Sequence, residues 1–210
     1  MLVLIAEDLM LVLVRKSSGE HSTMQGRVGA LAAALLIELA ARGRVEVAPD
    51  DSLVVFGGPF FGDDLLDVAL HRTGGTTEES IRRIAAGLHT RVLDRLAEHG
   101  LLRKVDRPVT FGLLSKAVWR VTDPAHAEAL RREIALVLLG EIPPSDRTGP
   151  IIALLWALTA VDTVARALPA TAWTRASEIA AGSWPARSET LAVTELCLRA
   201  SREWFRVTMG

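Results

Sequence analysis

The stretch Leu36-Ile37-Glu38-Leu39-Ala40-Ala41-Arg42-Gly43-Arg44-Val45 decides how this chain folds. Leu31, Leu35, Leu36 and Leu39 recur at helical spacing, so Gly29–Arg42 is expected as one helix. Gly43 ends it, because glycine tolerates the left-handed turn that throws the chain out of a helix. Beyond it, Val45-Glu46-Val47 and Leu53-Val54-Val55-Phe56 flank Pro49-Asp50-Asp51, the pattern of a β-hairpin. The unit repeats: Leu36, Leu39, Ala40, Gly43 and Val45 align, 57 residues on, with Leu93, Leu96, Ala97, Gly100 and Leu102. A second hairpin is therefore expected from Leu101–Val105 and Val109–Val121, with Arg107-Pro108 near its turn.

Helices fill the rest. Leu4–Val14 is apolar on nearly all sides except Glu7-Asp8 and reads as a buried helix, with a strand as the rival. Lys16–Gln25 reads as a polar loop. After Gly57-Gly58-Pro59, Asp63–His71 is a short helix whose Asp63, Asp64 and Asp67 suit the positive end of its dipole better than a cation. Phe60 and Phe61 read as a core-facing pair, with membrane insertion as the alternative. Thr77, Ser80 and the pair Glu78-Glu79 mark the start of a helix running to His99, bent at Gly87. Asp123-Pro124 opens another, cap then proline, and Pro143-Pro144 separates it from Pro150–Leu168. Ala170–Ala181 and Ser188–Thr208 complete a mainly α, compact single-domain helical core with two small β-hairpins, spanning residues 1–210.

Half of the residues are apolar and 23% are charged, enough to fill a sizeable core under a wet surface. The net charge of −1 leaves no global basic field for nucleic acid. The 24 cations are 21 arginines and 3 lysines, a bias that fits either a GC-rich bacterial genome or bidentate phosphate recognition. Cys197 is the only cysteine and falls in an apolar helical pattern, so it reads as a buried, inert thiol in a reducing compartment. Glu7-Asp8 interrupts the apolar start, and no basic segment precedes it, which argues against a signal peptide. The most apolar stretch, Pro150–Val161, stops at Asp162, short of the roughly 18–20 residues a span needs. No transmembrane segment is expected. The expected location is cytoplasmic.

The search for catalytic chemistry finds no phosphate-binding glycine loop, no nucleophile elbow and no Cys/His metal set. No metal, cofactor or catalytic residue is expected. The better candidates are cationic. Arg82, Ala86 and His89 share a face at i, i+4 and i+7, Arg83 lies beside it, and Arg27 precedes the Gly29 helix. Should the two helices pack side by side, Arg27, Arg82, Arg83 and His89 line one anion pocket. The bland alternative is a solvated helix face balanced by Glu78 and Glu79.

Four segments in register resemble the Golgi phosphoprotein 3-like family. They are Leu36–Val45, Glu7-Asp8 with Leu9–Val14, Gly62-Asp63-Asp64-Leu65-Leu66-Asp67-Val68-Ala69-Leu70, and Arg95-Leu96-Ala97-Glu98-His99-Gly100-Leu101-Leu102. Thr122-Asp123-Pro124 and Asp146-Arg147-Thr148 look like bacterial members, and the likeness covers most of residues 2–168. The resemblance implies a helical fold and peripheral membrane binding through a phosphatidylinositol 4-phosphate headgroup, with adaptor rather than enzymatic activity. In eukaryotic members an aromatic residue and three arginines hold the phosphate; the matching positions here are Thr23, Ala32, Ala86 and His89. None keeps the family's residue, so Arg82, one turn before Ala86, and Arg27 near the helix start are the compensating cations.

The expected function is thus a peripheral adaptor on the cytoplasmic membrane face that binds an anionic phospholipid headgroup, with a protein partner or a second copy to strengthen it. Two other readings stand beside it. Helix followed by a two-stranded wing also describes a winged-helix DNA-binding regulator, although nucleic acid is the less expected partner. The third is a protein-interaction scaffold whose lipid site has decayed.

Overall fold

The computed structural model describes residues 3–14, 24–109, 114–122, 124–165 and 167–208. It is mainly α, with two antiparallel hairpins. Helix α1 (Ile5–Leu13) is a helix rather than a strand and is buried along its whole length. Helix α2 (Met24–Ala41) begins earlier than the glycine suggested, so Met24 and Gln25 belong to it; the rest of the expected polar loop and Thr23 lie outside the described residues. From Ala30 to Ile37 every side chain of α2 is buried, because α1, a later helix pair and the C-terminal helix wrap it from several sides.

The repeated unit is present in both copies, with the same backbone chemistry. At the end of α2, Gly43 N–H donates to Ala40 O and Arg44 N–H to Leu39 O, with Gly43 at φ 68°. At the later copy Gly100 donates to Ala97 O and Leu101 to Leu96 O, with Gly100 at φ 72°. These paired bonds close the orphan carbonyls of a helix end and aim the chain into a strand. Strands β1 (Val45–Val47) and β2 (Leu53–Val55) pair with Val45 opposite Val55. Strands β3 (Leu102–Val109) and β4 (Leu114–Val121) pair with Leu102 opposite Val121. Here Arg107 and Pro108 lie near the turn as expected, but as strand residues rather than between the strands. They sit inside β3 opposite Lys116 and Ser115, as proline is permitted on a two-stranded ribbon whose outer edge has no partner strand.

Helix α3 (Asp64–Arg72) is capped by Asp63, whose carboxylate accepts the N–H groups of Leu65 and Leu66. The expected Thr77–His99 helix is two: α4 (Thr77–Ala85) and α5 (Leu88–Glu98). Gly87 between them has φ 74°, a left-handed residue that ends one helix and starts another. The cap of α4 is Thr76 rather than Thr77, with Glu79 reaching back to Thr76 N–H. Helix α6 (Pro124–Leu138) starts at the expected proline, and Asp123 lies outside the described residues. Helix α8 (Ala170–Ala180) and helix α9 (Ser188–Thr208) follow the expected bounds.

The apolar Pro150 segment folds otherwise than expected. Helix α7 (Thr148–Ala157) stops well short of Leu168 and gives way to a 3-10 turn at Val161–Thr163. The stop uses the same paired bonds, Thr159 N–H to Trp156 O and Ala160 N–H to Leu155 O, but with threonine at φ 51°. A β-branched residue there costs roughly 1–2 kcal/mol of steric strain, part of which glycine returns as unfolded-chain entropy. Thr159→Gly is therefore expected to stabilise the protein by about 0.5–1 kcal/mol, a rise of roughly 1–4 °C in Tm for a chain of this size. A melting curve at or below the parent's refutes that assignment. Among the described residues, no helix is long and apolar enough to cross a membrane.

Candidate functional site

The segments that carried the resemblance meet at one end of α1. Glu7, fully buried, accepts Leu4 N–H at 2.8 Å, and Glu38 of α2 accepts Ile5 N–H at 2.7 Å. Two carboxylates thus occupy the positive end of α1. Glu38 also pairs with Arg42 at 2.7 Å. From α5, Arg95 reaches Glu7 at 3.2 Å, Asp64 at 3.1 Å and both oxygens of Asp63, while His99 Nδ1 lies 3.4 Å from Glu7. Burial pushes the Asp63 carboxyl up, but Arg95 and the amides of Leu66 and Leu65 outweigh it and hold it below the usual range. A cavity of about 320 Å³ borders this cluster, lined by Arg42, Phe61, Asp63, Arg95 and His99 among others. Its cations already face carboxylates, so it is a latch between α1, α2, α3 and α5 rather than an anion receptor.

Asp8, next in sequence, does similar work on the other side. It bonds His126 of α6 at 3.1 Å and the guanidinium of Arg147 just before α7. Burial raises its carboxyl above the ordinary value despite both partners. Sequence reading found the acidic pair but not its partners. The available signal was physical: two acids inside an apolar helix must be paired, and Arg95, His99 and Arg147 stand near helix ends able to do it.

The expected anion-binding residues are distributed unevenly. Arg27 in the first turns of α2 is half-buried and lies close enough to His89, at the start of α5, to act on it. Burial, and then the positive field of Arg27, hold the His89 imidazole below its ordinary value. Arg82 is exposed on α4, away from the buried stripe of Thr77, Ser80, Ile81 and Ile84. Arg82, Ala86 and His89 do not share one helical face, because the left-handed Gly87 breaks the helix between Ala86 and His89. Arg83 is turned onto the protein: its guanidinium donates to Arg72 O at 3.0 Å and to Gly74 O, while Arg72 donates to Arg83 O and Ala86 O. It straps α4 to the end of α3. Of the positions expected from the resemblance to face a headgroup, Ala32 is fully buried and Ala86 is exposed at the break.

Phe60 also departs from expectation. Phe61 packs against the core, under the guanidinium groups of Arg42 and Arg44 at 5.4 and 5.1 Å, but Phe60 is 81% exposed. Among the described residues, no group of three or more His, Cys, Asp or Glu side chains is placed to hold a metal ion. Cys197 is buried with its thiol pushed up by burial, as the apolar pattern implied.

No curated protein matches the chain in sequence. The Golgi phosphoprotein 3 (GPP34) family does, over residues 5–196, from the first residue of α1 into α9 and across every element that builds the latch; the chain belongs to that family.

Proposed function

We propose that residues 1–210 act as a single non-catalytic domain that docks peripherally on the cytoplasmic face of a membrane. In this reading an anionic phospholipid headgroup, phosphatidylinositol 4-phosphate-like in its chemistry, sits between Arg27 and His89 with Arg82 at the rim. Arg83, committed to the α3–α4 strap, contributes field rather than contact. Family membership supports the class of function, and the Arg27–His89 juxtaposition supports the place. An unprotonated imidazole beside a guanidinium is what an anion would convert into a second cation.

That conversion sets a sign. A bound phosphate stabilises the imidazolium and raises the depressed pKa of His89, so binding takes up a proton and tightens as pH falls. A basic group near an anionic surface contributes about 1 kcal/mol, or roughly fivefold in affinity. Sedimentation with vesicles of phosphatidylcholine carrying about a third phosphatidylglycerol is expected to be about fivefold stronger at pH 5.5 than at pH 7.5. Arg27→Ala and Arg82→Ala should each weaken it by a similar factor, and His89→Ala should abolish the pH dependence. Equal recovery on neutral and anionic vesicles ends the headgroup reading and leaves the protein-interaction scaffold, which the alanines at positions 32 and 86 favour.

The DNA-binding alternative fares poorly against the packing. Helix α2 is wrapped from Ala30 to Ile37 and offers no face to a groove. On α5, Arg91 and Arg95 are spent on Asp64, Asp63 and Glu7.

A further inference from the structure

Between β2 and α3 the chain carries an exposed apolar tip. Residues 54–60 are all exposed, with Val54 at 40%, Phe56 at 41% and Phe60 at 81%. A contiguous exposed apolar patch of a few hundred Å² is often functional. The backbone beneath this one points to its use. Arg44 donates Nε–H to Phe56 O at 3.0 Å, Nη1–H to Pro59 O at 2.8 Å and Nη2–H to Gly58 O at 3.4 Å. Arg44 O in turn accepts Phe56 N–H at 3.0 Å. On the α3 side, the carboxylate of Asp67 accepts Phe61 N–H at 2.8 Å and Gly62 N–H at 3.1 Å. Pro59 has no N–H to satisfy. Five peptide groups of an irregular loop are therefore bonded inward by two side chains, and a sixth, Phe56 N–H, by the backbone carbonyl of Arg44, while its apolar side chains stand exposed.

We propose that the Val54–Phe60 tip is a wedge that enters the interfacial layer of a lipid bilayer, led by Phe60. Irregular backbone is costly in a low-dielectric layer unless its polar groups are satisfied from within; Arg44 takes three carbonyls of the tip, and Asp67 the two amides that follow it. A protein partner would need no such arrangement, since it offers donors and acceptors of its own. Area points the same way. Two part-exposed phenylalanines and two half-exposed valines present on the order of 300–400 Å², well under the roughly 800 Å² per partner of a stable protein interface. Most charges around the tip are paired, Arg42 with Glu38 and Arg91 and Arg95 with Asp63 and Asp64, while the Arg44 guanidinium is held on the loop carbonyls. Insertion here is apolar and indifferent to lipid charge, which complements an anion-selective site elsewhere.

The tip and the Arg27–His89 pair stand at the two ends of α3. Its start bonds Arg95 and Arg91 near the tip, and its last residue, Arg72, bonds Ala86 O three residues before His89. Nine residues of helix, roughly 13 Å, lie between these two ends of α3. The inference rests on the membrane-binding part of the function proposed above, and adds the group that enters the lipid.

The test labels Phe60→Cys with an environment-sensitive fluorophore; Cys197 is buried and does not compete. Vesicles are phosphatidylcholine alone or with about a third phosphatidylglycerol. The expected result is a blue-shifted emission on vesicles, quenched by spin-labelled acyl chains. Unlabelled Phe60→Ser should sediment roughly tenfold or more weakly, and Phe60→Leu should recover most of the loss. Sedimentation that depends on Arg27 and Arg82 while the label stays in water overturns the wedge and leaves the headgroup site. A blue shift on neutral vesicles, with sedimentation indifferent to Arg27→Ala and Arg82→Ala, upholds the wedge and removes the headgroup site. A blue shift that grows with protein concentration without lipid assigns the tip to a second copy and overturns the proposal. No sedimentation on either vesicle overturns both.

Discussion

Arg95→Met is expected to destabilise the protein by about 3–5 kcal/mol, read as a fall in the denaturant midpoint at unchanged slope. Methionine keeps the apolar stem of the side chain and removes the guanidinium. What remains is Glu7, 0% exposed, beside Leu4 N–H and His99, and Asp63 with its two amides. Removing one member of a buried ion cluster costs more than the cluster itself contributes, because the remaining charge stays desolvated. Against a typical total of about 5–15 kcal/mol, the loss leaves a marginal fold. The pH dependence carries a second signature. Asp63 titrates below its unfolded value, so its contribution is present above about pH 4 and is lost as pH falls through the folded value. Without Arg95 that acid limb should flatten. Glu7→Gln combined with Arg95→Met should cost less than the sum of the two, by about 1–3 kcal/mol. A variant within 1 kcal/mol of its parent would show that the latch carries no weight.

The legible part of this molecule was periodicity and punctuation. The helix around Leu36, the glycine stops at Gly43 and Gly100 and both hairpins follow from spacing, because each depends on residues within a few positions of one another. The readings that failed depended on context. Gly87 in an otherwise helical pattern was read as a bend, since glycine is tolerated inside helices; the left-handed conformation it adopts separates α4 from α5. Thr159 gave no local warning at all, because a threonine with positive φ is held there by the packing of α7 rather than by its own preference. Phe60 was read inward because it neighbours Phe61, yet consecutive loop residues point to different sides, and only Phe61 found the core.

The same division explains the candidate site. Glu7, Glu38, Asp63, Arg95 and Gly100 carried the kinship, and in the folded chain they cap helices, close turns and latch α1 to its neighbours. These motifs encode a shape. The positions expected to encode a ligand, Thr23, Ala32, Ala86 and His89, carry none of the residues the resemblance implies, and spacing alone says nothing about which cations replace them. Only the fold brings Arg27 to His89 across 62 residues of sequence. Family membership therefore constrains architecture more tightly than it constrains chemistry.

Gly149→Ala is expected to destabilise the protein by about 2 kcal/mol, against the usual sign for a glycine inside a helix. Helix propensity alone would favour alanine by up to about 1 kcal/mol. Here a Cβ would lie 2.6 Å from Cδ2 and Cε3 of Trp184, closer than real contacts allow. Those atoms belong to a rigid indole that is itself 6% exposed, so the ring or α7 must move, and overpacking of this kind costs roughly 1–3 kcal/mol beyond any propensity gain. Trp184→Ala alone should cost about 3–5 kcal/mol through the cavity it leaves. In that background the clash has no second party. Gly149→Ala should then become neutral or mildly stabilising, giving a coupling of about 2–3 kcal/mol between the two sites. Urea titrations of the four proteins measure it. An equal loss from Gly149→Ala in both backgrounds would mean that the backbone of α7, and not the indole, demands glycine.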